Sequence, residues 1–306
     1  MARTLEPTVD APRSTSVVRG LLLLARPKQW SKNVLVFAAP GAAGVLDDAG
    51  PLTDTLIALL ALCLAASGTY FLNDARDVEA DRRHPTKRRR PLAAGIVPIR
   101  VAYVGGVLLM VAAVGLGLAL RWQLGLTVAG YVVLTTVYST WLKTIAVVDV
   151  ATVAAGFVLR AIAGAAATGV PISDWFFIVT TFGSLFMVSG KRGAEAAEMG
   201  QGATETRAVL TAYTPTFTAY LRAVSSSAVL VAYCLWAFEK ADATTAGVPY
   251  YQLSIVPFAV AILRYALVLD QGRGSAPEEV VLADRPLQVI GAVWAVVFAL
   301  GVYTST

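Results

Sequence analysis

Charged residues are scarce in this chain, and histidine and cysteine are nearly absent. Only 15% of its 306 residues are charged, whereas soluble domains have about 25%. Hydrophobic residues make up 57% of the chain, and the mean hydropathy is +0.65. This composition excludes an ordinary soluble domain and predicts an all-α, polytopic membrane protein.

The two cysteines and the single histidine limit the kinds of site that the chain can form. Cys63 and Cys234 both fall in apolar runs, so we expect no disulfide framework. His84 lies in a polar loop, and we assign it no catalytic role. Residues 1–20 are polar and lack the apolar run and cleavage site of a signal peptide. We predict a disordered N-terminal tail at 1–20 and one transmembrane domain at 21–306.

Hydrophobic runs recur along the chain, and a membrane-spanning helix needs about 20 apolar residues. We predict about nine spans, at 30–46, 53–73, 98–120, 122–141, 145–168, 172–190, 214–238, 249–269 and 286–303. The first span is the weakest prediction. The segment 21–33 also fits an amphipathic stretch at the membrane interface, anchored by Arg26, Lys28, Trp30 and Lys32.

Lysine and arginine are distributed unevenly between the two predicted sides of the membrane. Most lie in the N-terminal arm, in the 74–100 loop and in the 191–213 loop, whereas the opposite loops hold Arg121 and Lys240. Because cytoplasmic loops are enriched in these residues, we predict a cytoplasmic N-terminus and an inner (plasma) membrane location. A site built from 70–92 and 190–207 would then face the cytoplasm.

Asn73, Asp77 and Asp81, within the sequence NDARDVEAD, recur every fourth residue where a predicted span ends. Side chains four residues apart share one face of a helix, and carboxylates stacked in this way repel each other unless a cation lies between them. Oxygen ligands of this kind suit Mg²⁺, which commonly binds phosphate as well. The spacing therefore predicts a Mg²⁺–diphosphate site at the membrane edge.

Neighbouring residues refine this prediction. Tyr70 precedes Asn73 by three positions, so we expect it to line the same pocket. Asp74 and Glu79 point elsewhere on a helix, and we expect both to be surface charges. The alternative interpretation of the motif is a solvated acidic helix end that balances the basic run after it.

Basic and polar side chains at the same predicted membrane side are candidates for phosphate binding. They are Lys28, Arg82, Lys87, Tyr138, Lys143, Arg160, Lys191 and Arg192. An arginine within the bilayer costs about 2.5–3.5 kcal/mol, so Arg160 should face the bundle interior and pair with an anion, either Asp149 or a phosphate. The simpler explanation for the others is the positive-inside bias and attraction to anionic lipid.

The NDARDVEAD motif, the YSTWLK segment at 138–143 and the nine-span layout resemble the UbiA superfamily of intramembrane prenyltransferases. The resemblance implies a UbiA-like catalytic bundle in which Asn73, Asp77 and Asp81 hold Mg²⁺ and a diphosphate, with a lateral opening for a polyprenyl chain. The chain departs from the family where a second Asp-rich metal motif is expected, because KRGAEAAE occupies that place. Lys191 and Arg192 there suit an additional phosphate better than a second metal.

Within that superfamily the chain more closely resembles the members that transfer phosphoribose to a polyprenyl phosphate for actinobacterial cell-wall arabinan. The resemblance includes ARPKQWSKNVLVFAAP, YFLNDARDVEADRRHPTKRRRPLAAG, FVLRAIAG, FGSLFMVSGKR, YCLWAFE and PFAVAILRYA. It implies transfer of 5-phosphoribose from phosphoribosyl diphosphate (PRPP) to decaprenyl phosphate. The products would be decaprenylphosphoryl-5-phosphoribose and diphosphate.

Two alternatives stay open at this point. A standard UbiA prenyltransferase would move a prenyl group from its diphosphate, but the missing second Asp-rich motif argues against it. A transporter lined by Arg160, Arg222 and Arg264 would spread ionisable groups over several spans, whereas here they gather at one face. The implied partners are PRPP, the polyprenyl phosphate and the bilayer, with no nucleic acid. The sequence leaves open the lipid chain length and whether the protein is a homo-oligomer.

Overall fold

The structure is a computed structural model that describes residues 16–199, 208–243, 247–272 and 277–304. These residues form helices and no strand, which confirms the all-α prediction; residues 1–15 of the predicted tail lie outside them. The α-helices are α1 Val17–Ala25, α2 Ala38–Ala42, α3 Ala49–Arg76, α4 Val78–Arg83, α5 Ile99–Leu120, α6 Trp122–Thr140, α7 Val148–Thr168, α8 Asp174–Met199, α9 Pro215–Asp242, α10 Tyr250–Asp270, α11 Pro277–Ala283 and α12 Arg285–Thr304. Short 3₁₀ helices form at Pro27–Phe37, Lys87–Arg89, Leu142–Thr144 and Ala208–Ala212.

Six of the described helices are long and apolar enough to cross a membrane. They are α3, α5, α7, α9, α10 and α12, and each overlaps a predicted span. Helices α6 and α8 overlap the predicted spans 122–141 and 172–190, and α8 continues past residue 190 to Met199. The total of nine spans and the position of the N-terminus stay predictions.

The first predicted span, 30–46, is not one continuous helix in the structure. Helix α1 begins after Ser16, whose Oγ accepts a hydrogen bond from the Arg19 amide at 3.3 Å. It ends at Arg26, which has a left-handed backbone (φ 51°) directly before Pro27, where proline disfavours further α-helix. The chain then continues as the 3₁₀ helix Pro27–Phe37 and the short α2.

This broken segment packs one face against the bundle, while Trp30 and Val34 on it stay exposed. Asn33 and Val36 are fully buried. The Asn33 side-chain amide donates to Cys63 Sγ on α3 at 3.2 Å, and its carbonyl oxygen accepts from Arg160 Nε on α7 at 2.8 Å. The 3₁₀ segment therefore ties α3 to α7 through polar contacts, which a membrane interior makes costly to leave unpaired.

Small residues allow the helices to approach closely around α3. A methyl group built on Gly68 of α3 would lie 2.7 Å from the carbonyl oxygen of Gly106 on α5. A methyl group on Gly164 of α7 would lie only 1.7 Å from the carbonyl oxygen of Val36. Close packing of backbones through small residues is the usual way in which membrane helices associate. It fixes the 3₁₀ segment against α7.

Substitution of Gly164 tests this backbone contact. Because the added methyl group would overlap a carbonyl oxygen, we expect Gly164→Ala to destabilise the fold by about 3 kcal/mol or more. Gly130→Ala on α6 is the matched control, since nothing lies within 4 Å of the added atom. Thermal unfolding in detergent, followed by circular dichroism, measures both. Equal melting temperatures for the two variants would contradict the close approach.

Candidate functional site

A polar cavity of about 550 Å³ opens between the ends of α3, α6, α7 and α8 and the 3₁₀ segment. Among the described residues, eight lysine and arginine side chains and three carboxylates line it. The basic residues are Arg26, Lys32, Arg76, Lys87, Arg90, Lys143, Arg160 and Lys191, and the acidic ones are Asp74, Asp77 and Glu195. A concave wall with this excess of positive charge attracts a polyanionic ligand.

Eight of the residues predicted from sequence line this one cavity. They are Tyr70, Asn73, Asp77, Lys87, Tyr138, Lys143, Arg160 and Lys191. The structure places four others off the cavity wall, namely Lys28, Asp81, Arg82 and Arg192. Lys28 is exposed, and Arg82 pairs with the exposed Glu79 at 2.7 Å and donates to the Ala93 carbonyl oxygen at 3.4 Å.

The motif of Asn73, Asp77 and Asp81 extends across a helix break. Helix α3 ends at Arg76 and α4 begins at Val78, with Asp77 between them at φ −88° and ψ 4°. Helical hydrogen bonds nevertheless continue, from the Asp77 amide to Asn73 O at 3.0 Å and from the Asp81 amide to Asp77 O at 2.8 Å. The four-residue spacing is therefore kept, but only Asn73 and Asp77 reach the cavity wall.

Asp81 turns towards Arg90 instead. It is 4% exposed, and Arg90 Nη1 approaches its Oδ2 to 2.8 Å. The same guanidinium lies 3.3 Å from Asp74 Oδ1, which Arg26 Nη2 also contacts at 2.6 Å. A buried carboxylate requires a cationic or hydrogen-bonding partner, and the loop after α4 supplies one. Two arginines far apart in sequence thus meet at two acidic residues of α3 and α4.

Asp74 is therefore not the surface charge expected from the sequence, whereas Glu79 is exposed as expected. Asp74 is 4% exposed and lines the cavity. The sequence does contain a signal for this position, because Asp74 follows Tyr70 by four residues and both therefore lie on one helix face. Arg26, stacked over the Tyr70 ring at 4.7 Å, completes that face. Helical periodicity could not reveal its role, because Arg26 lies at the left-handed turn after α1, far from Tyr70 in the sequence.

Asn73 and Asp77 form the part of the wall that fits a divalent cation. Neither side chain has a hydrogen bond or ion pair with another described residue, and an amide and a carboxylate oxygen are both hard ligands. The described residues hold no group of three acidic, histidine or thiol side chains that could enclose a metal alone. Mg²⁺ commonly takes only one or two carboxylates and completes its shell with water and phosphate, so this donor set suits it.

Arg160 faces the bundle interior, as its cost within a bilayer requires. Its guanidinium donates to Tyr131 Oη at 2.7 Å and to the Gly156 carbonyl oxygen at 2.7 Å, in addition to Asn33. All of these acceptors are neutral, and no described carboxylate pairs with it, so Asp149 is not its partner. The positive charge at the cavity wall therefore remains available to an anion.

Asp149 pairs with Arg192 in a fully buried contact between α7 and α8. Arg192 Nε lies 2.7 Å from Oδ2, and Nη2 donates to Oδ1 at 2.8 Å, with both side chains at most 1% exposed. Tyr138 Oη donates to the same Oδ1 at 2.9 Å and accepts from Arg192 Nη2 at 3.0 Å. Arg192 also pairs with Glu195, which lines the cavity. This cluster holds the ends of α6, α7 and α8 together.

Tyr213 closes the cluster from the segment before α9. Its hydroxyl donates to Asp149 Oδ2 at 3.5 Å and accepts from the Val147 amide at 2.9 Å. Burial raises the pKa of the Tyr213 phenol, so it stays protonated and keeps donating to the carboxylate.

A second cavity, of about 420 Å³, is almost entirely apolar. Its wall includes Phe37 and Ala38 from the broken first segment, Tyr233 and Trp236 from α9, and residues of α8, α10 and α12. The segment 27–42 thus contributes to both cavities, because Gln29 and Lys32 line the polar one.

Arg222 and Arg264 do not extend the polar cavity into a path across the bundle. Arg222 pairs with Asp270 at 3.6 Å, and Arg264 holds Asp284 through two hydrogen bonds of 3.0 and 2.8 Å. Neither lines either cavity. The described residues therefore show no arginine-lined path of the kind that the transporter alternative requires.

Removal of the Asp149 charge tests the buried cluster. We expect Asp149→Asn to cost about 3–5 kcal/mol of stability, because it removes the charge of the buried carboxylate that contacts two nitrogens of the Arg192 guanidinium. The control is Asp270→Asn, whose side chain is 77% exposed and should change stability by less than about 1 kcal/mol. Unfolding in detergent measures both. Equal losses of stability in the two variants would show that the buried pair of Asp149 and Arg192 stabilises the fold no more than an exposed pair does.

Comparison with known proteins places the chain in a family. The model of the UbiA prenyltransferase family matches residues 34–284. A decaprenyl-phosphate phosphoribosyltransferase of Corynebacterium glutamicum is 44% identical over 292 residues, which cover 93% of this chain and 87% of the relative. The enzyme of that name from Mycobacterium tuberculosis is 42% identical over 293 residues, covering 94% and 96%.

Solved structures agree on the fold. A UbiA homolog from Archaeoglobus fulgidus bound to DMAPP and Mg²⁺ superposes with a TM-score of 0.68 at 17% identity, covering 93% of this chain and 99% of that one. A digeranylgeranylglyceryl phosphate synthase gives 0.66 at 15% identity, covering 94% and 99%. The chain is an integral membrane protein and belongs to the UbiA prenyltransferase family.

Proposed function

We propose that this protein transfers the 5-phosphoribosyl group of PRPP to a polyprenyl phosphate, decaprenyl phosphate by analogy with its relatives, and releases diphosphate. The observation that supports this most directly is the excess of cations around Asn73 and Asp77 in one cavity. That wall suits several phosphate groups at once, as PRPP and a lipid phosphate together present. The names of relatives at 42–44% identity support the same reaction.

Mg²⁺ belongs in this proposal at Asn73 and Asp77, with Asp81 as the third predicted ligand. Bound there, the ion would neutralise the diphosphate as it leaves. In the structure Asp81 is held by Arg90, so its part in metal binding requires that contact to open. Asn73, Asp77 and the cations around them bind the diphosphate end of PRPP and orient C1 of its ribose towards the lipid phosphate.

The remaining basic side chains receive the other phosphates. Arg160, Lys143 and Lys191 line the cavity from α7, from the segment after α6 and from α8, so they suit the ribose 5-phosphate and the lipid phosphate. A bond forms between a lipid phosphate oxygen and C1 of ribose while the bond from C1 to the diphosphate oxygen breaks. The attacking oxygen is already anionic, so no strong general base is needed. This agrees with a wall that contains no histidine among its described residues.

The apolar cavity suits part of the isoprenoid chain of the acceptor. Its lining is aromatic and aliphatic, and the segment 27–42 connects it to the polar cavity. The lipid phosphate would lie among the cations while its tail extends along this segment. The uneven distribution of lysine and arginine puts the polar cavity at the cytoplasmic surface, where soluble PRPP has access.

The reaction is tested by incubating purified protein with Mg²⁺, labelled PRPP and decaprenyl phosphate and extracting labelled lipid. We expect Asp77→Ala to lower the rate at least about 100-fold, because the leaving diphosphate loses its metal. Glu79→Ala, two residues away and exposed, is the control and should retain full activity. Absence of labelled lipid with wild type, or equal rates for wild type and Asp77→Ala, would overturn the proposal. Label transferred from a prenyl diphosphate instead would favour the prenyltransferase alternative.

The tail-binding role of the apolar cavity has its own test. Ala299 lines this cavity on α12, so Ala299→Trp should fill part of it and raise KM for decaprenyl phosphate about tenfold. KM for PRPP should be unchanged, and a short-chain acceptor should be affected less. Val293→Trp on the same helix is the control, because that side chain is 49% exposed and does not line the cavity. Equal KM values for the two variants would contradict the placement of the tail.

A further inference from the structure

We propose that Glu195, with the Tyr138 hydroxyl beside it, accepts hydrogen bonds from the ribose hydroxyl groups of the donor and thereby selects a sugar donor. The inference rests on the proposed function and deepens it, because it assigns the recognition of the sugar itself. It concerns the place on α8 where the family resemblance leads one to expect a second metal motif.

Glu195 is an unexpected side chain on this wall. It is a half-buried carboxylate, with 29% of its side chain exposed, in a cavity whose other features attract phosphate. A negative charge there repels the ligand that the basic residues attract. Its ion pair with Arg192 Nη1, the nitrogen that Asp149 does not contact, uses Oε2 and leaves the role of Oε1 unexplained. A ligand-binding role accounts for that second oxygen.

The contacts of Glu195 leave it suited to accept hydrogen bonds. Its Oε2 pairs with Arg192 Nη1, which fixes the carboxylate. Its Oε1 lies 3.8 Å from Lys191 Nζ, which is an ionic contact but too long for a hydrogen bond. A carboxylate oxygen that is oriented by a buried arginine and faces a cavity is a strong acceptor for a hydroxyl group.

Tyr138, near the end of α6, provides a second hydrogen-bond acceptor. A phenol has one proton, and this one is donated to Asp149 Oδ1. The hydroxyl oxygen also accepts from Arg192, so the buried pair fixes its orientation from behind. Phosphate oxygens are acceptors and gain nothing from a second acceptor, whereas sugar hydroxyls can donate to it. On this geometry Tyr138 suits a ribose hydroxyl better than the phosphate expected from its sequence.

These two acceptors can distinguish PRPP from a prenyl diphosphate, because the two molecules differ next to the diphosphate. Ribose carries hydroxyl groups on the two carbons that follow C1, close to the diphosphate. A prenyl diphosphate has only hydrocarbon at the corresponding distance. Filling this region with hydrocarbon would dehydrate Glu195 Oε1 and leave it with the Lys191 ammonium at 3.8 Å, beyond hydrogen-bond distance. A site built to bind a hydroxyl rejects an analogue that lacks it far more strongly than an apolar pocket rejects an added group.

The test compares kcat/KM for PRPP with kcat/KM for its 2-deoxy and 3-deoxy analogues. For wild type we expect a preference for PRPP of about 10–100-fold over at least one analogue, as for hydrogen bonds to a charged acceptor. Glu195→Ala should lower the rate with PRPP and bring this preference close to one. Glu195→Gln keeps an acceptor and should retain part of the preference. Glu79→Ala should leave it unchanged.

Tyr138→Phe is the second variant, because it keeps the pair between Asp149 and Arg192 and so preserves the cluster. It should reduce the preference for PRPP over the same or the other analogue. Thermal unfolding checks that each variant is folded, and calorimetric binding of the donors without acceptor gives the same ratio where turnover is too slow.

Other outcomes would overturn the inference. If wild type uses both deoxy donors as well as PRPP, the acceptor pair does not contact the sugar. If Glu195→Ala slows PRPP and the analogues equally, Glu195 has a structural role only. An unchanged preference with a higher Mg²⁺ requirement would make it a second metal ligand instead. In each of these cases phosphoribosyl transfer itself persists, whereas its absence in wild type would refute the proposed function as well.

Discussion

Cationic side chains cannot lie inside a membrane bundle without compensation, and this constraint governs the polar end of the protein. Charges in a medium of low polarity are costly unless an opposite charge or several dipoles surround them. Arg192 meets Asp149, and Arg26 and Arg90 meet Asp74. Arg160 has only neutral acceptors. The charges of the paired residues are compensated within the protein, whereas Arg160 leaves a positive charge at the cavity wall that a carboxylate does not balance.

These pairs also determine the shape of the cavity. The pair of Asp149 and Arg192 ties α7 to α8 and fixes Tyr138 of α6, while Asp74 holds the αL turn at Arg26 and the loop that carries Arg90 against α3. Close approach at Gly164 presses the 3₁₀ segment into the bundle. The wall is therefore built mainly on packed helices, and ion pairs hold Arg26 and Arg90 of the connecting segments against them, which keeps these groups in place before a ligand arrives.

The wall then divides into faces with different chemistry. Asn73 and Asp77 present oxygen ligands from the end of α3, and Arg160 and Lys143 present cations from α7 and the end of α6. Glu195 on α8 presents an acceptor in a region that is otherwise basic. Under the proposed reaction, the diphosphate, the hydroxyl groups and the monophosphate of PRPP would each meet one of these three kinds of surface. The apolar cavity beyond the 3₁₀ segment adds a place for hydrocarbon.

The sequence by itself determined the class of fold and much of the wall. Apolar runs of spanning length encode the long helices, and the i, i+4 spacing placed Asn73 and Asp77 on one face, because both are local properties of a helix. The tertiary structure decided which charges meet. Asp81 pairs with Arg90, although the four-residue spacing suggested a metal, and Asp149 pairs with Arg192, although the sequence offered Asp149 as one of two possible partners of Arg160. Such partners lie up to 48 residues apart in the sequence, as Arg26 and Asp74 do. Which of them come together depends on how the helices pack, and helical periodicity contains no information about that.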